Sequence, residues 1–171
     1  VQTCALPICY GGEWVEVVVY GESYSDAHAK ALEIQASEGL TFVHPFDDPL
    51  VIAGQGTIGK EILDQCAEPI DAVFVAIGGG GLASGVGSWI KYHSPGTRVI
   101  GVQAEGSDAM MQSLRDQERL RLDHVSLFSD GTAVKEVGAT TLHVCDQVLD
   151  DIVLVSTDEM CAAISDIYFR S

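Results

Sequence analysis

Basic residues are scarce in this chain: nine lysines and arginines stand against 25 aspartates and glutamates, giving a net charge of −16. A nucleic-acid binder needs a basic footprint, and none is present, so no nucleic-acid partner is expected. The acidic excess reads as a solvated surface that aids solubility. No apolar run reaches the ~18 residues that a bilayer-spanning helix needs, so no membrane partner is expected. The five cysteines (Cys4, Cys9, Cys66, Cys145 and Cys161) form no CxxC pair and no metal-ligand spacing. They read as reduced, mostly buried thiols of a cytoplasmic protein. His28, His44, His93, His124 and His143 are scattered without an HxxxH pair, and no metal site is expected. The N-terminus lacks a charged segment followed by an apolar stretch, so no secretory signal is read there.

The 171 residues are 47% hydrophobic and 20% charged, a globular balance large enough for one ordinary domain or parts of two. Strand-like and helix-like patterns alternate along them. Val15–Tyr20 reads as a strand, then Asp26–Glu38 as a helix capped by Ser25 and stopped by Gly39. Thr41–Val43 reads as a short strand. His44–Pro49 reads as a loop because of its two prolines, and it is the best boundary between two subdomains. Helices are expected over Gly56–Ala67, from just after Gly81 to about Tyr92, and over Ser107–Gln117, Gly138–Leu149 and Thr157–Tyr168. Buried strands are expected at Ala72–Ile77, Arg98–Ala104 and Ile152–Val155, with Leu120–Thr132 irregular. Strands separated by helices imply βαβ units. The expected class is therefore α/β, three-layer αβα with a mainly parallel sheet.

The most informative segment is Asp71-Ala-Val-Phe-Val-Ala-Ile-Gly-Gly-Gly-Gly-Leu-Ala-Ser-Gly85, a buried strand, four glycines, then a helix. Residues without side chains let a ligand approach the backbone and let several N–H groups converge on one point. The helix N-terminus just beyond favours an anion, with a dipole contribution of roughly 0.3–1 kcal/mol. A tight turn with no ligand would need only one or two glycines. Two ligands remain open on spacing alone. One is the phosphate of a cofactor. The other is a dinucleotide such as NAD, because Gly78, Gly80 and Ala83 satisfy GxGxxA and Glu105 ends the next strand.

Three segments carry a resemblance: Val51-Ile-Ala-Gly-Gln-Gly-Thr57, Ile77-Gly-Gly-Gly-Gly-Leu82 about twenty residues later, and Gly131-Thr-Ala-Val-Lys135. Together they resemble the threonine dehydratase (threonine ammonia-lyase) family, from about Gly11 to Asp166. Phe128-Ser-Asp-Gly-Thr-Ala-Val-Lys135 looks more like the biosynthetic branch, which starts isoleucine synthesis, than the catabolic one. The resemblance implies the tryptophan-synthase-β-like fold, known as type II among pyridoxal-phosphate (PLP) enzymes: two αβα subdomains with the cofactor between them. It implies that residues 9–43 are the remainder of the small subdomain and 44–171 part of the large one. It further implies that Gly78, Gly79, Gly80, Gly81 and Leu82 hold the PLP phosphate, and that Gly131 lies near the cofactor ring. The implied substrate is a small amino acid, converted from threonine to 2-oxobutanoate and ammonia, and the implied assembly is a homo-oligomer. A serine dehydratase or serine racemase-like enzyme is the nearest alternative. An NAD-dependent oxidoreductase and a non-catalytic phosphate-binding module are the others.

The family's Schiff-base lysine sits in a Ser-x-Lys-x-Arg-Gly-Ala context, which none of Lys30, Lys60, Lys91 and Lys135 has. All four read as solvated surface lysines. The motif is expected upstream of Val1, and the serine that partners the pyridine nitrogen beyond Ser171. Residues 1–8, Val-Gln-Thr-Cys-Ala-Leu-Pro-Ile, resemble the translation of a sequencing adapter, and Arg170-Ser171 fits its other end. The chain is therefore expected to be a piece of an enzyme truncated at both ends, and inactive by itself. Some relatives bind a divalent cation near an acidic cluster after the strand that follows the glycine loop. Here Glu105 is present and Asp108 is nearby, but Met111 stands where those relatives have an acid, so Glu105 reads as a strand-end surface acid or a helix-start charge.

Overall fold

The computed structural model describes residues 12–21 and 24–170, apart from the side chain of Ser25. The adapter-like segment 1–8 and the proposed cap at Ser25 lie outside the described residues. The chain divides into two compact units, Val1–Val43 and His44–Ser171.

In the first unit, a single 3-10 turn at Gly12–Trp14 precedes helix α1, Tyr24–Glu38. The strand expected at Val15–Tyr20 is not formed, and neither is the one at Thr41–Val43. Both are apolar enough, but a strand exists only where a ladder takes up its N–H and C=O groups. Among the described residues neither segment joins the three-stranded sheet, and Val19 is left 87% exposed.

The second unit holds a three-stranded parallel sheet of β1 (Ala72–Ala76), β2 (Arg98–Ala104) and β3 (Asp151–Val155), in that order. β1 and β2 register Ala72 with Arg98, and β2 and β3 register Ile100 with Asp151. Helices separate the strands: α2 (Pro49–Gln65) before β1, α3 (Gly81–His93) between β1 and β2, α4 (Ala109–Asp116) and α5 (Ala139–Val148) between β2 and β3, and α6 (Thr157–Arg170) last. The expected α/β class with a parallel sheet holds. Successive residues of β1 point to opposite faces: Val73 and Val75 meet the core, while Phe74 is exposed. Ile77, Ile90 and Met110 are almost wholly buried, each contributing about 1.5–3 kcal/mol from apolar area removed from water. No helix among the described residues is long and apolar enough to cross a membrane.

Helix α2 starts seven residues earlier than the sequence pattern suggested. Pro49 does not end a loop; it opens the helix, with Asp48 as N-cap accepting from Leu50 N at 2.7 Å and Val51 N at 3.2 Å. Proline is welcome in the first turn because its missing N–H would have had no helical partner. The Val51–Thr57 motif is therefore helical, and of its two glycines Gly56 packs against α3 while Gly54 is exposed. A Cβ at Gly85 of α3 would lie 2.3 Å from Ile52 O and 2.7 Å from Gly56 N of α2. The two backbones touch there, so Gly85 has no room for a side chain, and Gly56 is tightly placed, an added Cβ there lying 3.3 Å from Gly85 O.

Lys91 departs from the expected solvated lysine. Its Nζ donates to Asp150 Oδ2 at 2.6 Å and to Thr97 O at 3.1 Å. Asp150 Oδ2 also accepts from Val99 N at 2.6 Å, which ties the start of β2 to the turn before β3. The Lys91 ammonium, and then the Val99 N–H, hold the Asp150 carboxyl below the usual carboxylate range.

Gly85→Ala is expected to destabilise the fold by about 1–3 kcal/mol through overpacking. Gly54→Ala, on the exposed face of α2 with no atom within 4 Å of the added Cβ, is expected to stabilise it by about 0.5–1 kcal/mol. Urea titration of both variants checks the pair. Because Asp150 is depressed in the folded state, its contribution is complete well above the unpaired value near 4 and fades as pH falls through the lowered folded value. Asp150→Asn should cost about 0.5–1 kcal/mol at neutral pH, given the partial exposure of the pair. It should also flatten the acid side of a stability-against-pH curve.

Candidate functional site

The last sheet bond before the glycines is Ile77 N to Val102 O at 2.9 Å, and the first helical bond after them is Ser84 N to Gly80 O, also at 2.9 Å. Between these points the chain turns from β1 into α3. Gly80 is the N-cap, with φ at +99°, a left-handed conformation that suits glycine and strains any L side chain. It offers no side-chain cap to the helix.

Among the described residues, no acceptor pairs with the N–H groups of Gly78, Gly79, Gly80, Gly81, Leu82 or Ala83. Gly79, Gly80, Gly81 and Ala83 are nevertheless buried. A buried N–H without a partner costs about 1–3 kcal/mol, so this row is suited to an acceptor from outside. At a helix N-terminus that acceptor is favourably an anion.

The loop is walled closely. A Cβ on Gly79 would lie 2.4 Å from the Phe46 ring, and one on Gly81 3.0 Å from Phe46 Cα. One on Gly80 would meet Met110 Cε at 2.6 Å and Thr141 Cβ at 2.8 Å. Gly78 lies against Thr132, in the 3-10 turn Asp130–Thr132. That turn includes Gly131, which is itself exposed, with no atom within 4 Å of an added Cβ.

Residues that the sequence reading passed over organise this loop. Asp47 caps α5 from a distance: its carboxylate accepts from Ala139 N at 3.0 Å, Thr140 N at 2.9 Å and Thr141 N at 3.1 Å. His44 Nδ1 accepts from Asp47 N at 2.8 Å and Phe46 N at 3.3 Å, which shapes the turn that presents Asp47. Thr141 Oγ1 donates to Gly79 O at 2.6 Å. Gln103, also buried, accepts from Met111 N at 2.9 Å and donates to Ser107 O at 3.2 Å. The Asp47-Asp48-Pro49 triplet held a readable signal, since an acid before a proline is an N-cap pattern. No local pattern announced that Asp47 serves a helix 92 residues away in sequence.

Every lysine is engaged away from the glycine N–H groups. Lys30 pairs with Glu33 at 2.7 Å, Lys60 with Asp64, Lys91 with Asp150 at 2.6 Å, and Lys135 donates to Asp123 O at 2.9 Å. Glu105 lies just past β2 and is exposed. The cysteines divide differently from expectation: Cys145 is buried, but Cys66 and Cys161 are exposed, while Cys4 and Cys9 lie outside the described residues. Burial pushes the Cys145 thiol up to about 11, against a smaller opposing effect of Ser84.

The family model described as pyridoxal-phosphate dependent enzyme matches residues 4–170, which overlaps part of the adapter-like segment. The biosynthetic L-threonine dehydratase of Burkholderia multivorans is 59% identical over 159 residues, covering 93% of this chain and 31% of that protein. The chain thus spans about a third of the length of this curated relative. Among solved structures, the processed form of threonine deaminase isoform 2 from Solanum lycopersicum matches with a TM-score of 0.85 and 45% identity, over 89% of this chain and 42% of the other. Maize serine racemase matches with a TM-score of 0.85 and 29% identity, over 94% of this chain and 47% of the other.

The thiol environments give a direct check. At neutral pH, a maleimide should modify Cys66 and Cys161 within minutes and leave Cys145 unmodified in the folded protein, as read by peptide mass mapping. Rapid labelling of Cys145 would contradict its packing against Ser84 and the loop.

Proposed function

The chain belongs to the pyridoxal-phosphate dependent enzyme family, and on that footing we propose that it is the phosphate-binding part of a threonine ammonia-lyase serving isoleucine biosynthesis. The observation that carries this reading is the row of N–H groups from Gly78 to Ala83 without acceptors among the described residues. Such a donor set fits a cofactor phosphate. Gly78, Gly79, Gly80, Gly81 and Leu82 would hold it through the backbone, and the N-terminal end of α3 would offset its charge where no lysine or arginine stands in the loop. When bound, the cofactor supplies an electron sink for the carbanion left by removal of the substrate's α-proton. The role of these residues is to bind and orient that group, with Phe46 and Thr132 walling the loop on the protein side.

The Schiff-base lysine belongs, in this reading, to a part of the parent enzyme that this chain does not contain. The four lysines are each paired elsewhere, and the chain covers only a fraction of its relatives. Residues 9–43 would come from the small subdomain and 44–171 from the large one, with Gly131 near the cofactor ring. The substrate would be L-threonine, the assembly a homo-oligomer, and the compartment the cytoplasm. The likeness to a serine racemase favours one second reading, a serine-directed enzyme on the same phosphate loop.

The full-length protein reconstituted with PLP is expected to release 2-oxobutanoate from L-threonine faster than pyruvate from L-serine, while residues 1–171 alone release neither. Gly80→Ala should weaken PLP binding by at least about tenfold, because the added Cβ both strains a positive φ and meets Met110 and Thr141. Coupled assays of both products and a PLP titration of the apoprotein read these outcomes. Turnover by the isolated chain would overturn the assignment of the lysine, and a preference for serine would favour the second reading.

A further inference from the structure

We propose that Thr141 is a positioning residue for the cofactor phosphate, its hydroxyl fixing the Gly79–Gly80 peptide so that the Gly80 N–H faces the anion. This rests on the reading of the glycine loop as the phosphate site. A trans peptide is planar, with its C=O and N–H on opposite sides. Whatever grips the Gly79 carbonyl therefore aims the Gly80 N–H the other way. Thr141 Oγ1 grips it at 2.6 Å, with Gly138 N a second, longer donor at 3.4 Å. The alternative acceptor of the hydroxyl, Gly138 O, is farther, at 3.2 Å.

A peptide between two glycines meets little steric resistance to flipping, because neither residue has a Cβ to restrict its dihedrals. Flipped, it would turn a carbonyl toward the phosphate and remove a donor from the row. The Thr141 hydroxyl opposes that flip. Asp47 holds the hydroxyl in place by capping the start of α5, its carboxylate accepting from the N–H groups of Ala139, Thr140 and Thr141. Thr141 is wholly buried, so water cannot substitute for its hydroxyl at the Gly79 carbonyl.

The test uses the full-length protein with Thr141→Val, which keeps the shape and removes the hydroxyl, and Thr141→Ser, which keeps the hydroxyl. The affinity of each apoprotein is measured for PLP and for pyridoxal, which lacks the phosphate. Their ratio isolates the phosphate contribution. Thr141→Val should shrink this ratio by about 5- to 100-fold, in line with a buried carbonyl left only the longer Gly138 N–H and a donor no longer aimed at the anion, and Thr141→Ser should restore it. The phosphorus NMR shift of bound PLP should move in the valine variant and return in the serine variant. A structural role alone would weaken both ligands equally and leave the ratio unchanged, and that outcome overturns the proposal. If the valine variant does not fold, Thr141→Cys, with its weaker S–H donor, should give an intermediate ratio; a wild-type ratio there overturns it too. A wild-type ratio near one would instead overturn the phosphate-site reading itself, and the role of Thr141 with it.

Discussion

A backbone N–H can be offered to a ligand only if the carbonyl on the far side of the same peptide plane has somewhere else to go. The loop from Gly78 to Ala83 meets this condition by standing against the start of α5. The Gly79 carbonyl is taken by Thr141 and Gly138, and the Gly80 carbonyl by Ser84 N, with the Cys145 thiol at 3.9 Å. Helix α5 can occupy that place because its own leading N–H groups are satisfied by Asp47. Asp47 is in turn presented by a turn that His44 Nδ1 holds. Each contact is ordinary in strength. Their arrangement in series satisfies the Gly79 and Gly80 carbonyls and leaves the N–H groups of the loop without acceptors among the described residues.

The same loop is held from a second direction by α2. Backbone contact at Gly56 and Gly85 brings α2 onto α3, which seats the helix whose N-terminus follows the glycines. Helices seldom come so near, because side chains normally keep their axes 8–10 Å apart. The glycines of α3 cost helix propensity, and the return is a helix buried along most of its length between α2, the sheet and α5. Gln103 adds a buried polar tie from the end of β2 to Met111 of α4. The candidate site is thus a backbone surface, and side-chain chemistry contributes to it mainly from behind.

Much of this was readable in advance, and the failures share a cause. Arg98–Ala104 was legible because β-branched and aliphatic residues in a run of strand length, bounded by turns, have few other places to go. The glycine loop stood out because four residues without side chains in a row are costly unless something must come close. Val15–Tyr20 misled because a strand needs partners that apolarity alone does not supply. Pro49 misled because proline both ends loops and opens helices, and the capping aspartate before it decides which. The motif glycines Gly54 and Gly56 carried no mark telling packing from binding: Gly54 faces open space, and Gly56 faces the backbone of α3.

By itself, the sequence determined the alternation of strands and helices in the second unit and the place of the glycine turn. Both follow from local periodicity, backbone freedom and the absence of side chains. Tertiary structure alone decided which carbonyls lie behind the turn and which threonine grips them. It also decided that an aspartate caps a helix 92 residues downstream, and that Lys91 pairs with Asp150 instead of standing in solvent. These are contacts between segments far apart in the chain. Their partners are set by how the helices stack on the sheet, and no local rule of spacing or propensity contains that information.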